Sequence, residues 1–590
     1  GSHNVTLGTF AGKTITTGAE NIFLGCGAGG TAAVTADHNI GLGVEAGRKL
    51  TSGAENVHIG YKPAAEQSTG SGNVYIGKET AEQRESGDDN IAIGSKSLYG
   101  DSTPANNTAS YTVAIGKCAG KSITSGNYNL YFGLAAGCLT TDGHSNIALG
   151  CKALQGNVSA DFNVAIGPVA GQCVGAGGCN VFMGYGAAAS SGTATDNDAS
   201  QNVAIGMYAA TALTDGDMNT LVGSYSGAKI TTGTGNVALG FAAGCETTTS
   251  GYNVYLGDSA GRNIQTGSYN FAGGYAALQG SGTAADNTGD YNVALGYKAG
   301  EGVTSGANNI LIGNAAGDAL TSGSGAVAIG CAALSTEDTK SYAVAIGWQA
   351  LTTQNADFGN NVAVGYCAGA TLTNATENVF MGYESGKGVT TGTGNVAIGA
   401  KTLSDATTTG GGNVAIGQDV LRNNTGDNNV AIGGAAGDAS GDGTDNVFVG
   451  KGSGSDNTDG DKNTFLGRLS GNTNTTGCCN IAIGHNVELP SITGNHQLAI
   501  GVSGDRWITG DSSFNLGLAG GSVVVTQAAA GVGATVGPGD AGVTTYFGDG
   551  SNLTGVTAGF EADADLNLMS SGTCSGCSLD GSAGCFNTLL

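Results

Sequence analysis

One nine-residue phrase recurs through most of the chain. Asn292 to Gly300 reads Asn-Val-Ala-Leu-Gly-Tyr-Lys-Ala-Gly, and seventeen residues later Asn309 to Gly317 reads Asn-Ile-Leu-Ile-Gly-Asn-Ala-Ala-Gly. Numbered from its Asn, the unit starts 29 times between Asn4 and Gln497. A period this short means one supersecondary unit per repeat. Each unit is too small to bury an apolar face alone, so neighbours must stack. The expected fold is all-β: a parallel β-solenoid (β-roll or β-helix) of about 29 coils of 17 residues, roughly 140 Å long at ~4.8 Å per rung. Three steps, after Asn90, Asn180 and Asn270, stretch to 22 residues, which makes a super-repeat of five coils; after Ala343 the corresponding step is only 18.

Position five is Gly in all 29 coils, among them Gly167, Gly206, Gly240, Gly296 and Gly399. A residue that never varies from coil to coil has a backbone reason: a positive φ, or no room for a Cβ at a corner. Position one is Asn in 25 of 29 coils, among them Asn163, Asn202, Asn236, Asn292 and Asn395. Stacked at rung spacing, these side chains either form an amide ladder or serve the turn before the strand.

Positions two and four are Val, Ile or Leu in most coils, as at Val203 and Ile205, and alternation places them in the coil interior. Position three then points outward. It is nevertheless Ala, Leu, Phe or Tyr in 26 of 29 coils. A strand that is apolar on both faces is buried on both. Ala165, Phe182, Ala204, Ala238 and Phe380 are therefore read as an oligomer face covered by sister chains. Position twelve is a further apolar column, as at Ile15, Leu50, Ile123 and Val303, followed by a Thr-Thr-Gly or Thr-Ser-Gly turn signal.

The long coils insert polar loops: 100–107, 190–197 and 281–287. Standing five coils apart on one side, they are candidate binding loops through Asn106, Asn107, Asp196, Asn197, Asp286 and Asn287. The solvated-bulge reading stays open beside this one. The repeat domain is expected over 1–501 and a β-rich junction over 502–577. The stretch 503–517, with its large Trp507, is read as a plug for the solenoid end, and a further repeat begins at 578–590. Both ends fall inside repeats, so the chain reads as a segment of a longer protein.

Composition narrows the function classes. Gly makes up 109 of 590 residues, but there are only 5 Pro and no Gly-X-Y triplet, which excludes collagen. A formal net charge of −25 argues against nucleic acid and anionic lipid as partners. No apolar run reaches the ~20 residues that membrane insertion needs.

The 14 Cys are scattered, and Cys574 and Cys577 form a lone CxxC without four zinc ligands. The six His are isolated, no Gly-x-Ser-x-Gly elbow recurs with partners placed at the ends of strands, and no Walker lysine pattern is present. Asp215, Asp217, Asp442, Asp445, Asp456, Asp459 and Asp461 are the candidate carboxylates. Glycosidase chemistry needs two of them facing a sugar groove, and calcium needs a cage of oxygens. All lie in turns, where solvated Asp is the plain alternative. No other cofactor is expected. The Thr pairs raise an ice-binding array, but Gln67, Asp215 and Asn374 interrupt it.

The consensus Asn-Val-Ala-Ile-Gly-Tyr-x-Ala-Gly, with Thr-Thr-Gly before the next Asn, resembles the head repeats of bacteriophage tail-fibre proteins. More distantly it is similar to trimeric autotransporter adhesin heads, whose coils are shorter. The passages Arg506–Asn515 and Phe547–Val556 look like fibre junction segments. The resemblance covers about 500 residues by repeat. It implies a homotrimeric extracellular fibre that works with other fibre or virion proteins and spaces a surface for a host glycan or protein receptor. No enzyme activity is expected, because the candidate carboxylates lie in turns. The rival readings are a bacterial adhesin or filament and, further off, a polysaccharide depolymerase.

Overall fold

The computed structural model describes residues 1–518, apart from 191–196, 337–338, 340–341, 355–359 and 514. The last stretch, 519–590, lies outside the described residues. With it go the expected strand at 544–556, the CxxC and the resumed repeat.

The described part is a parallel β-solenoid. Strands are numbered β1 to β31 in chain order, from β1 (Val5–Leu7) to β31 (Leu516–Leu518). Each of β1 to β28 pairs in parallel with the next strand in sequence. Pairing is position on position. Between β17 (Val293–Leu295) and β18 (Ile310–Ile312), Val293 opposes Ile310, Ala294 opposes Leu311 and Leu295 opposes Ile312. Register is held this tightly because a one-residue slip would turn every side chain to the other face.

The corner after each strand explains the invariant Gly. Gly167 has φ +129° and Gly184 +133°, a region open to glycine alone. A Cβ on Gly167 would also sit 2.7 Å from the carbonyl oxygen of Gly184 in the next coil. Gly206, Gly240, Gly296 and Gly399 have the same conformation. Both reasons for glycine therefore act at one position.

Alternation runs opposite to the sequence expectation. Position three is the interior one: Ala165, Phe182, Ala204 and Phe380 are 0 % exposed and Ala238 1 %. Positions two and four are half-exposed, as at Val203 and Ile205. The five residues assigned to an oligomer face are thus core. The coil is thin, and only a column dominated by Ala fits between the strand and the opposite wall made by positions eight and twelve, such as Ala299 and Val303. A large residue in column three is either flanked by small ones, as Phe182 is by Ala165 and Ala204 and Tyr255 by Ala238 and Ala272, or stacks on one large neighbour, as Phe448 does on Phe465.

The regular stack ends in a hairpin. β29 (Leu498–Val502) pairs antiparallel with β30 (Asp505–Gly510), which pairs antiparallel with β31. Trp507 is 54 % exposed, so the rung edge is covered by hairpin backbone and not by a plugged indole.

Candidate interaction surface

The structure assigns most conspicuous sequence features to holding the coils together. Asn292 Oδ1 accepts both the backbone amide (3.1 Å) and the side-chain amide (3.0 Å) of Asn309. Asn292 Nδ2 donates to Gly306 O at 2.8 Å. Asn163, Asn202, Asn236 and Asn395 take their backbone amides to the preceding Asn in the same way. The ladder and the turn are one device, because the carbonyl that Asn caps belongs to the turn that follows. Thr112 keeps the backbone bond to Asn90 Oδ1, and its hydroxyl turns back to Ser110 O.

A second ladder, not anticipated from sequence, explains the turn aspartates. In many coils the residue two before the Asn accepts, through its side chain, the amide of its counterpart one coil earlier. Ser200 N donates to Asp217 Oδ1 at 2.7 Å, Thr444 N to Asp461 Oδ1 at 2.8 Å, and His144 N to Asp161 Oδ1 at 2.6 Å. His144 Nδ1 itself accepts from Asn127 N. Asp442 accepts from the Thr425 hydroxyl, Asp445 from Asn428 Nδ2, Asp456 from the Ser455 hydroxyl and Asp459 from the Thr458 hydroxyl. Asp215 makes only a long contact with Asp198 N. Among the described residues no three His, Cys, Asp or Glu side chains converge as a metal set. The Thr column is likewise committed: Thr231 and Thr304 donate their hydroxyls to carbonyls of the next coil.

The inserted loops divide into pins and exposed tips. Asn107 and Asn287 are buried. Asn107 Nδ2 donates to Gln83 O, and Asn287 Nδ2 to Asn263 O, each carbonyl in the coil before the loop. Asn197 Nδ2 donates to Cys173 O in the same sense. These three fasten the loops and present nothing to a ligand. Asn106 and Asp286, in the short 3₁₀ turns Pro104–Asn106 and Ala284–Asp286, are exposed. Asp196 lies outside the described residues. Beside the first loop runs a shallow groove of about 310 Å³ lined by Lys49, Glu66, Ser68, Glu85, Thr103 and Pro104. Lys49 and Arg48 both pair with Glu66 and hold its carboxyl below the usual range against the opposing effect of partial burial.

The surface beside the strand is largely apolar. The residue before each Asn (position seventeen of a regular coil, and the column so named below) and positions two, four and six point outward on one side of the strand. Between Val5 and Ile481, the exposed large apolar side chains among the described residues lie in these four columns; only Phe10, Leu139, Val158 and Tyr225 do not. Columns two and four contain no charged residue at any rung. Columns seventeen and six flank them with aromatic stacks. Tyr252, Tyr269 and Tyr291 stack with centroids 5.4 and 4.9 Å apart, and Trp348, Tyr366 and Tyr383 at 4.8 and 5.2 Å. Columns seventeen and six also hold eleven charged residues, six acidic and five basic; most other charges lie elsewhere in the coil, as in Lys229–Glu246, Lys298–Glu301 and Arg422 between Asp405 and Asp438.

Comparison with protein-family models, with curated proteins and with solved structures returned no match.

Proposed function

We propose that the chain is the structural shaft of an extracellular fibre, a virion appendage of the tail-fibre kind, that spaces and presents a host-receptor-binding surface. The observation that carries this reading is the continuous inter-coil hydrogen bonding. Backbone, Asn and turn-acceptor ladders tie rung to rung, which gives a stiff spacer and engages Asp217 and Asp461 in holding it together. The loops at five-coil spacing, with exposed Asn106 and Asp286, supply the side that meets a receptor of glycan or protein. The fibre is homotrimeric in this reading, as the head-repeat resemblance implies. It works without catalysis or cofactor, and joins other fibre proteins at its ends.

Immunogold electron microscopy of the source particles and cells, with antibody against this chain, tests it. Gold along a virion appendage is expected. Gold on cell-surface filaments favours the adhesin reading, and gold confined to the cell interior overturns both. A clearing assay on capsular polysaccharide separates the shaft from a depolymerase: a halo around the purified protein ends the non-enzymatic reading.

A further inference from the structure

We infer that the four-column apolar face is the surface through which the chain packs against further copies of itself. Three features identify the occupant. The first is length. The face runs rung by rung through the stack at a fixed strand spacing, so a globular partner covers only part of it. A second copy has the same spacing and the same extent.

The second is charge. The chain carries a formal net charge of −25, yet columns two and four carry none of it, and columns seventeen and six carry six carboxylates against five Lys or Arg, so copies meet here on a nearly neutral face. An anionic lipid surface would repel the same molecule through its other faces.

The third is area. Fifteen aromatic residues of columns seventeen and six, from Tyr61 to Tyr383, stand exposed, most of them by about half. At ~200 Å² per aromatic side chain, half-exposure leaves roughly 1,500 Å² per copy, before any Val or Ile is counted. A stable interface needs about 800 Å² per partner. This deepens the self-association in the fibre reading. The measurement of mass below decides it whether or not the fibre meets a host receptor.

The test is the solution mass of the full chain by sedimentation and light scattering. One variant carries Tyr252→Asp, Tyr269→Asp and Tyr291→Asp. The control carries Thr249→Asp, Thr266→Asp and Ser305→Asp, exposed in the same region but off the face. Column seventeen already holds Asp89 and Asp445 at φ +54° and +57°, so the backbone accepts the change. The wild type and the control are expected at one common multiple of 57.4 kDa. The tyrosine variant should dissociate at a concentration at least tenfold higher, with its β circular dichroism unchanged. If that variant loses its β signal, the Tyr→Asn series replaces it, since Asn308 and Asn428 occupy the same column. A wild type that stays at single-chain mass at micromolar concentration overturns the inference, whether or not it sediments with phosphatidylcholine vesicles. So does a folded variant whose dissociation midpoint is unchanged.

Discussion

The ring of Tyr131 lies against Gly137 in its own coil, so that a Cβ on Gly137 would stand 2.6 Å from ring carbon Cε1. Seven coils show the complementary solution, among them those in which Leu154, Leu278 and Leu403 occupy position nine and Ala148, Ala272 and Ala397 position three. Positions three and nine share one volume, which adjacent coils can also fill: Phe182 and Leu154 reach in beside Gly171, where position three is Ala165. Gly137→Leu should therefore overpack the coil and cost about 3 kcal/mol, and Tyr131→Ala should leave a cavity costing about 4 kcal/mol. The double variant should recover most of the loss, because Leu154 shows that a left-handed Leu is tolerated there at φ +46°. Urea titration of all four proteins measures the coupling, and strict additivity would refute it.

The corner glycine gives a sharper test. Gly167→Ala meets both a forbidden φ and the carbonyl of Gly184, with no flexible atom to move. The expected loss is at least about 3 kcal/mol of local stability. Hydrogen exchange at the amides of Ile166 and Met183 reads it, with coils ten rungs away unaffected as nearest-neighbour coupling requires.

Removing one amide from the Asn ladder orphans several buried groups at once. In Asn292→Ala, the Asn309 backbone and side-chain amides lose an acceptor and Gly306 O loses a donor. At about 1–3 kcal/mol for each buried orphan, the sum is of order 3 kcal/mol or more. Asn292→Asp should be no better at neutral pH, because the carboxylate cannot donate to Gly306 O. Thermal unfolding of the two variants checks both statements.

His58 makes stability depend on pH. It occupies position three, fully buried, and stacks on Tyr75 with centroids 5.5 Å apart. Burial lowers its pKa to about 4, although Gln67 offsets part of the effect. Arg84 and Tyr75 complete this polar pocket. Arg84 donates to Ala109 O and Ile123 O. Burial pushes its pKa down and drives Tyr75 up to about 12. The unfolded chain protonates His58 near 6.5 and the folded chain only near 4, so the unfolded state gains the proton first as pH falls. Stability is full above about 6.5 and declines down to 4, by about 3 kcal/mol in all at 1.4 kcal/mol per unit. His58→Phe keeps a ring on Tyr75, as Phe448 on Phe465 does, and should remove this component. Denaturation midpoints at pH 7 and 4.5 for the two proteins provide the comparison.

Periodicity alone determined the solenoid, the coil boundaries, the need for Gly at the corner and the Asn column. Each repeats at every rung, and stacking turns a repeat in sequence into a repeat in space. Alternation also showed that positions two and four share one face and position three the other, but it carries no sign. Only the closed coil decided which face is inside: the width between the strand and the wall at Ala299 and Val303 admits a column of Ala and excludes a double column of Val and Ile. The same closure moved Asn107 and Asn287 from ligand to pin and gave Asp217 and Asp461 an amide to accept. It also transferred the outward apolar surface from Ala165 and Phe182 to Val203, Ile205 and the tyrosines beside them. Those assignments depend on contacts between residues seventeen or more apart, whose distances exist only once neighbouring coils have stacked.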